Sequence, residues 1–133
     1  MAVAESIINL AAADIQGGLK RVRLSANWMA AGNHPGEGAA LYEAVGAVGT
    51  DLCPKLGVSI PVGKDSMSMK MKRKSNGEDK EVTAPVSLVV TAFAAVEHVS
   101  KTWAPALKRE GGSVLVFVDL ALGRMEMGGS ALC

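Results

Sequence analysis

The feature that most restricts the fold of this chain is the pair Asn76-Gly77, which lies between two predicted strands. Asn-Gly accepts the positive φ angles of a type I′ turn, which joins two antiparallel strands through two residues. Methionines alternate with polar residues before this pair, and we predict that the partner strand starts near Glu81. The methionine stripe is typical of a flexible core face, and a binding surface is the alternative. It consists of Met67, Met69 and Met71.

Four further strands are predicted from short apolar runs. The first alternates between apolar and polar residues, so one face of the strand is apolar. The second is a short buried run that ends at Gly63. The third is long and follows a proline, and the fourth comes last in the chain. These strands are 22–26, Val58 to Val62, Val86 to Ala95 and Val114 to Leu120.

Two helices are predicted from apolar residues at helical spacing. The first runs from Val3 to Ile15, where a Gly-Gly pair stops it. The second runs to about Cys53, and Pro54 and Gly57 close it. The order helix–strand–helix–strand–hairpin–strand predicts an α+β fold. The stripe of the second helix consists of Leu41, Val45, Val48 and Leu52.

The charge balance argues against partners that bind through bulk charge. The 133 residues include 14 Lys and Arg against 13 Asp and Glu, a net charge of +1. Nucleic acids and acidic lipids select strongly basic faces, so we expect no nucleic-acid or membrane partner. No apolar run is long enough to predict a membrane span. Cys53 and Cys133 cannot form a framework of several disulfides, and a reduced, cytoplasmic setting is predicted.

Glu5 and Asn9 lie four residues apart on the first predicted helix, so their side chains project from one face. Carboxylate and amide oxygens in this arrangement suit Mg²⁺, which keeps several waters that a phosphate can replace. A solvated polar face is the alternative interpretation of the same pair.

The segment from Gly57 to Asp65 looks like a phosphate-binding loop but fails its pattern. The pattern requires four residues between its glycines and a Ser or Thr after the Lys. Here five residues separate Gly57 from Gly63, and Asp65 follows Lys64. A strand that ends at Gly63 would still present Lys64, Asp65 and Ser66 beside exposed amides, and this set can bind a phosphate and its Mg²⁺. A polar strand edge is the alternative.

Several strings of the sequence carry a resemblance to a known family. Two are specific, Ser-Ala-Asn-Trp-Met at 25–29 and Lys-Asp-Ser-Met-Ser-Met at 64–69. Together with four other strings, these two resemble phosphoribosylformylglycinamidine synthase of purine biosynthesis, in its long, single-chain form. The resemblance extends over essentially the whole chain. The other strings are His-Pro-Gly-Glu-Gly at 34–38, Leu-Tyr-Glu-Ala-Val at 41–45, Thr-Ala-Pro-Val-Ser-Leu-Val-Val-Thr-Ala-Phe at 83–93 and Met-Gly-Gly-Ser-Ala-Leu at 127–132.

The resemblance implies part of an ATP-dependent ligase that converts formylglycinamide ribonucleotide to formylglycinamidine ribonucleotide. ATP would activate the amide oxygen as a phosphate ester, and ammonia would displace that phosphate. The ammonia would come from glutamine, hydrolysed in a separate glutaminase domain whose motif is absent from this chain. We therefore expect no catalytic residue within the chain and no activity of the chain alone.

The resemblance also implies a domain organisation. The synthetase region of the family carries two tandem copies of the aminoimidazole ribonucleotide synthetase fold. This chain is similar to the first α+β half of the second copy, residues 1–111, followed by the opening strand and linker of the next half-domain, residues 112–133. We expect an antiparallel or mixed sheet packed by helices, with one sheet face that packs on the first copy. The chain is expected to be a piece of something longer.

Two sets of site residues follow from the resemblance. The first matches helix positions that coordinate Mg²⁺ for a nucleotide, which in the long form is a tightly held, structural ADP. The second matches a loop that contacts nucleotide, Mg²⁺ and substrate in shorter relatives, with Ser66 as the substrate-contacting hydroxyl. An alternative function is therefore a non-catalytic Mg·ADP module that stabilises the enzyme. The sets are Glu5 with Asn9, and Gly63, Lys64, Asp65 with Ser66.

Overall fold

The computed structural model describes residues 1–107, 111–119 and 122–124. None of the described helices is long and apolar enough to cross a membrane. The helical elements are α1 (Ala2–Leu10), α2 (Glu37–Gly46), a π-helical segment (Ala47–Leu52) and α3 (Cys53–Leu56), with 3₁₀ turns at Leu19–Arg21 and Val99–Lys101. The strands are β1 (Arg23–Met29), β2 (Ser59–Ser66), β3 (Lys70–Ser75), β4 (Glu78–Thr83) and β5 (Ser87–Phe93).

The middle strand of the main sheet is β1, in the order β2-β1-β5. It runs parallel to β2 and antiparallel to β5, so the sheet is mixed, as expected. Val22, Leu24 and Ala26 are at most 2% exposed, which confirms the predicted alternation. Because side chains alternate along a strand, β1 has one buried face, and the helices cover that face.

The hydrophobic core lies between the helices and this face of the sheet. Val3 of α1 and Cys53 of α3 are buried against Val22 and Leu24. Burial also raises the pKa of the Cys53 thiol, which makes it a poor nucleophile at neutral pH. The chain therefore belongs to the mixed α and β class, with helices packed on a small sheet.

The other side of the main sheet, here called the open face, is covered by none of the described helices. Val62 of β2 and Val89 and Phe93 of β5 are between 45% and 55% exposed on this side. Their partners across the sheet are the polar residues of β1, since Ser25 pairs with Val62 and Asn27 pairs with Val89. The open face thus combines exposed apolar side chains with polar groups from the central strand.

Helix α1 ends at Leu10 and not at the predicted Ile15. Beyond α1 the chain pairs with a later segment, because Ile15 forms an isolated bridge with Val96. The Gln16 N–H donates to the Ala95 carbonyl oxygen at 3.0 Å in the same region. Helical spacing of apolar residues could not reveal this tertiary pairing, which takes the backbone out of the helix.

The second predicted helix extends past Cys53 to Leu56, so Pro54 does not close it. Pro54 lies in the first turn of α3, where a missing N–H is tolerated. Gly57 ends the helix as predicted, with a φ angle of 68° in the left-handed region.

The hairpin predicted at Asn76-Gly77 is confirmed. Both residues have positive φ angles, 56° and 82°, as a type I′ turn requires. Strand β4 begins at Glu78, before the predicted start near Glu81, because the two strands pair directly after the turn.

The methionine stripe does not form the single core face that was predicted. The hairpin is a separate two-stranded sheet, where Met71 is 66% exposed. Met67 and Met69 lie in the connection between β2 and β3. There the Gly32 N–H donates to the Met67 carbonyl oxygen at 2.9 Å, and the Met69 N–H donates to the Ala30 carbonyl oxygen at 3.2 Å. Alternation indicates an extended chain but not which strands pair.

The long strand predicted at Val86 to Ala95 is confirmed as β5, which is shorter at both ends. The strand predicted from Val114 to Leu120 is not formed within 114–119, where the residues are exposed and belong to no strand. Leu120 and Cys133 lie outside the described residues, as does the string at 127–132. An apolar run becomes a strand only beside a partner strand, and the described chain offers none here. The division at residues 111 and 112 remains a prediction.

Gly63 allows β2 to lie close to β1. A Cβ atom at this position would lie 2.7 Å from the carbonyl oxygen of Ala26, a backbone atom that cannot move aside alone. We expect Gly63→Ala to destabilise the chain by about 1–3 kcal/mol, the usual cost of overpacking. Gly49→Ala is the matched control, because nothing lies within 4 Å of a Cβ there. Denaturant unfolding of both variants tests this, and equal midpoints would contradict it.

Candidate functional site

The first candidate pair, Glu5 and Asn9, lies on an exposed side of α1 next to the edge strand β5. Both side chains are exposed and stand one turn apart on the helix, as their spacing predicts. They line a hollow of about 250 Å³, whose other wall is the β5 segment 88–90. The pair therefore lies on the helix-covered side of the sheet, at its β5 edge.

The chemistry of this pair fits an ion that is shared with a ligand. Among the described residues, no group of three or more His, Cys, Asp or Glu side chains could hold a metal ion. One carboxylate and one amide oxygen leave most positions around Mg²⁺ to water and phosphate, which is how Mg²⁺ is usually bound with nucleotides. The pair suits Mg²⁺ bound together with a nucleotide better than Mg²⁺ bound alone.

The second candidate set, Gly63 to Ser66, is part of a strand. The expectation that the strand ends at Gly63 is wrong, because β2 continues to Ser66. The register pairs this half of β2 with residues 26–29 of β1. The long partner strand extends β2, and the composition of the segment gave no sign of that pairing. The polar strand edge that was the alternative therefore describes the local structure.

The strand places the three polar side chains of this set on two sides of the sheet. Lys64 and Ser66 lie on the same side, and the Lys64 ammonium donates to the Ser66 hydroxyl oxygen at 3.2 Å. Asp65 lies on the other side beside its register partner Trp28, in a hollow of about 380 Å³ that Leu41 also lines. A cation and a hydroxyl can bind one phosphate together, but Asp65 does not face that ligand.

Asn27 is a candidate binding residue that the sequence analysis missed. It pairs in register with Lys64 and lies on the open face of the sheet. Its Oδ1 atom is buried and has no hydrogen-bond partner within the described structure. Buried polar atoms are nearly always paired, so the hydrogen bonding of Asn27 is incomplete within the described residues. The available signal was its polar side chain in the middle of a buried strand.

The two candidate sets are not brought together within this chain. Glu5 and Asn9 lie at the β5 edge on the helix side, whereas Lys64 and Ser66 lie on the open face at the β2 edge. The central strand separates the two edges. A single small ligand therefore cannot contact both sets within this chain.

Comparison with known proteins identifies the class to which this fold belongs. A family model described as the FGAR-AT PurM_N-like domain matches residues 1–95. Because this match covers most of the chain, the chain belongs to that family.

A curated relative agrees with this assignment. The phosphoribosylformylglycinamidine synthase of Schizosaccharomyces pombe (strain 972 / ATCC 24843) is 58% identical over 135 aligned residues, which cover 99% of this chain and 10% of that protein. The resemblance inferred from the sequence strings is therefore confirmed. The chain spans about a tenth of the length of this curated relative.

Proposed function

We propose that this chain is part of an ATP-dependent, glutamine-fed ligase that makes formylglycinamidine ribonucleotide in de novo purine biosynthesis, in the cytoplasm. The observation that carries this proposal is the 58% identity to a phosphoribosylformylglycinamidine synthase across nearly the whole chain. In that reaction the γ-phosphoryl group of ATP is transferred to the amide oxygen of formylglycinamide ribonucleotide. Ammonia derived from glutamine then attacks the amide carbon, and phosphate leaves.

Within this reaction the chain binds and orients, and the catalytic groups come from elsewhere in the enzyme. Lys64 and Ser66 present a cation and a hydroxyl on one side of the sheet, 3.2 Å apart, which suits a phosphate oxygen of the substrate. Asn27 pairs in register with Lys64 and is the polar neighbour of this pair on the same side.

The open face supports the second part of the proposal, that this sheet packs on the first synthetase copy. Val62, Val89 and Phe93 expose about half of their surface there. Exposed apolar side chains on a sheet face that none of the described helices covers are typical of an interaction site. Residues 1–111 would then form the half-domain that packs on the first copy, and residues 112–133 would begin the next half-domain.

The alternative function, a structural Mg·ADP module, is supported by the position of Glu5 and Asn9. They line a hollow on the opposite side of the sheet from Lys64 and Ser66, so a nucleotide there is remote from the proposed substrate phosphate. Bound Mg²⁺ would supply charge compensation for the nucleotide phosphates. A nucleotide that is retained without turnover would stabilise the enzyme by linkage, because it binds the folded state alone.

A chimeric synthase tests the ligase role, with this chain in place of the matching tenth of the fission yeast enzyme. We expect Ser66→Ala to lower kcat/KM for the ribonucleotide. The decrease should correspond to a loss of about 1–3 kcal/mol in transition-state stabilisation, as expected for a hydrogen bond to a charged group. Asp65→Asn, on the other side of the sheet, is the control and should leave that value unchanged at saturating Mg²⁺. Phosphate release measures both. Equal effects, or none, would remove Lys64 and Ser66 from the substrate site.

The same chimera separates the structural role from the catalytic one. We expect Glu5→Ala to reduce the rise in thermal midpoint produced by Mg·ADP more than it reduces turnover, because less of the phosphate charge is compensated. Glu43→Ala, which removes an exposed carboxylate from α2, is the control. An undiminished Mg·ADP shift in Glu5→Ala would exclude this residue from the nucleotide site.

The isolated chain is expected to self-associate through the open face and to lack ligase activity even with ammonia supplied. Light scattering should give a mass above that of a monomer. The Phe93→Lys variant should be monomeric, because it places a charge within the apolar surface. Tyr42→Lys, at an exposed position on α2, is the control and should not change the mass. A monomeric wild-type chain would contradict the paired-sheet arrangement, and measurable phosphate release would contradict the role of the chain as a part.

A further inference from the structure

The β3–β4 hairpin stands apart from the main sheet. It forms a sheet of its own, and no described helix packs on it. An isolated bridge between Ala31 and Ser68 connects its base to the end of β1, and the His34 imidazole contacts the Glu81 carboxylate at 3.5 Å. A two-stranded hairpin with so little support is at best marginally stable in water.

The side of the hairpin that faces the rest of the chain carries three lysines, Lys70, Lys72 and Lys74, against two carboxylates. Lys72 lies opposite Glu81, and their charged groups are 3.2 Å apart. A hydrogen bond from Lys72 lowers the pKa of the Glu81 carboxyl, so this pair remains ionised at neutral pH. Lys74 lies opposite Asp79 on the same side. His34 contacts this side, which therefore faces inward.

The opposite side, here called the outer face, places two cations directly opposite each other. Met71 lies opposite Val82, and both are about two-thirds exposed. Next to them Arg73 lies opposite Lys80, and like charges placed directly opposite each other destabilise a sheet. Neither cation takes part in an ion pair within the described residues, although Glu78 shares this face. The outer face thus combines an exposed apolar pair with two directly opposed cations and one carboxylate, Glu78.

We propose that the outer face docks on an acidic protein surface with an apolar hollow, outside this chain. Acidic side chains there would remove the repulsion between Arg73 and Lys80, and the hollow would bury Met71 and Val82. Both unfavourable features of the hairpin disappear in the same contact, which is the kind of complementarity that sets specificity at interfaces. Nucleic acid fits less well, because neither strand carries an aromatic side chain on which bases could stack.

Two defined peptides test this with the complete 133-residue chain, one of alternating Glu and Leu and the other of alternating Lys and Leu. We expect the acidic peptide to bind and the basic one not to bind. The double variant Arg73→Glu with Lys80→Glu should weaken binding on the order of tenfold or more, and so should Met71→Thr with Val82→Thr. The matched control, Lys70→Glu with Lys74→Glu, changes the same charge on the inward side and should bind like the wild type.

Each other outcome overturns the proposal. If the control variant lost as much binding as the outer-face variant, the acidic peptide would be attracted by overall charge and not by the outer face. If both peptides bound equally well, the face would have no preference for acidic partners. Tighter binding of single-stranded RNA or of phosphatidylserine vesicles would assign the face to a different class of partner. The folding control is the set of backbone amide resonances of the hairpin. These resonances should be unchanged in each variant if the fold is intact.

Discussion

The pairing of β1 along both of its edges is the constraint on which the rest of the structure depends. Its buried side anchors the core through Leu24, and its hydrogen bonds fix the positions of β2 and β5 at once. A slip of one residue in either register would turn polar side chains into the core. The same registers place Asn27 beside Lys64 and give Gly63 its close approach to Ala26. Core packing and the arrangement of the candidate site are therefore consequences of one set of strand pairings.

Much of the fold could be predicted from local patterns. The alternation from Val22 to Ala26 and the Asn-Gly turn report local geometry, and both are confirmed. The errors occur at the ends of elements, where contacts distant in sequence decide the outcome. Pairing with the segment around Val96 shortens α1, and pairing with β1 lengthens β2. The predicted strand from Val114 failed for the same reason, since its pattern carried no information about a partner.

The candidate site was less predictable than the fold. The four-residue spacing of Glu5 and Asn9 fixes a common face of a helix, but only the packed structure reveals β5 as the opposite wall. Lys64 and Asp65 are adjacent in sequence and were expected to act together. The pleat of a strand separates such neighbours, so the error came from treating a strand as a loop. Asn27 was missed because an unpaired buried oxygen is a property of packing.

The π-helical segment Ala47–Leu52 has a consequence for how this helix tolerates changes in length. Each residue of an α-helix turns the chain by about 100°, so deletion of one residue from a regular α-helix rotates everything that follows it. A π-helical turn accommodates one residue more than an α-helical turn. Loss of one residue from within the segment therefore restores regular helix while both flanking helices keep their orientation. This stretch is the place where the helix can shorten without disturbing the packing on either side.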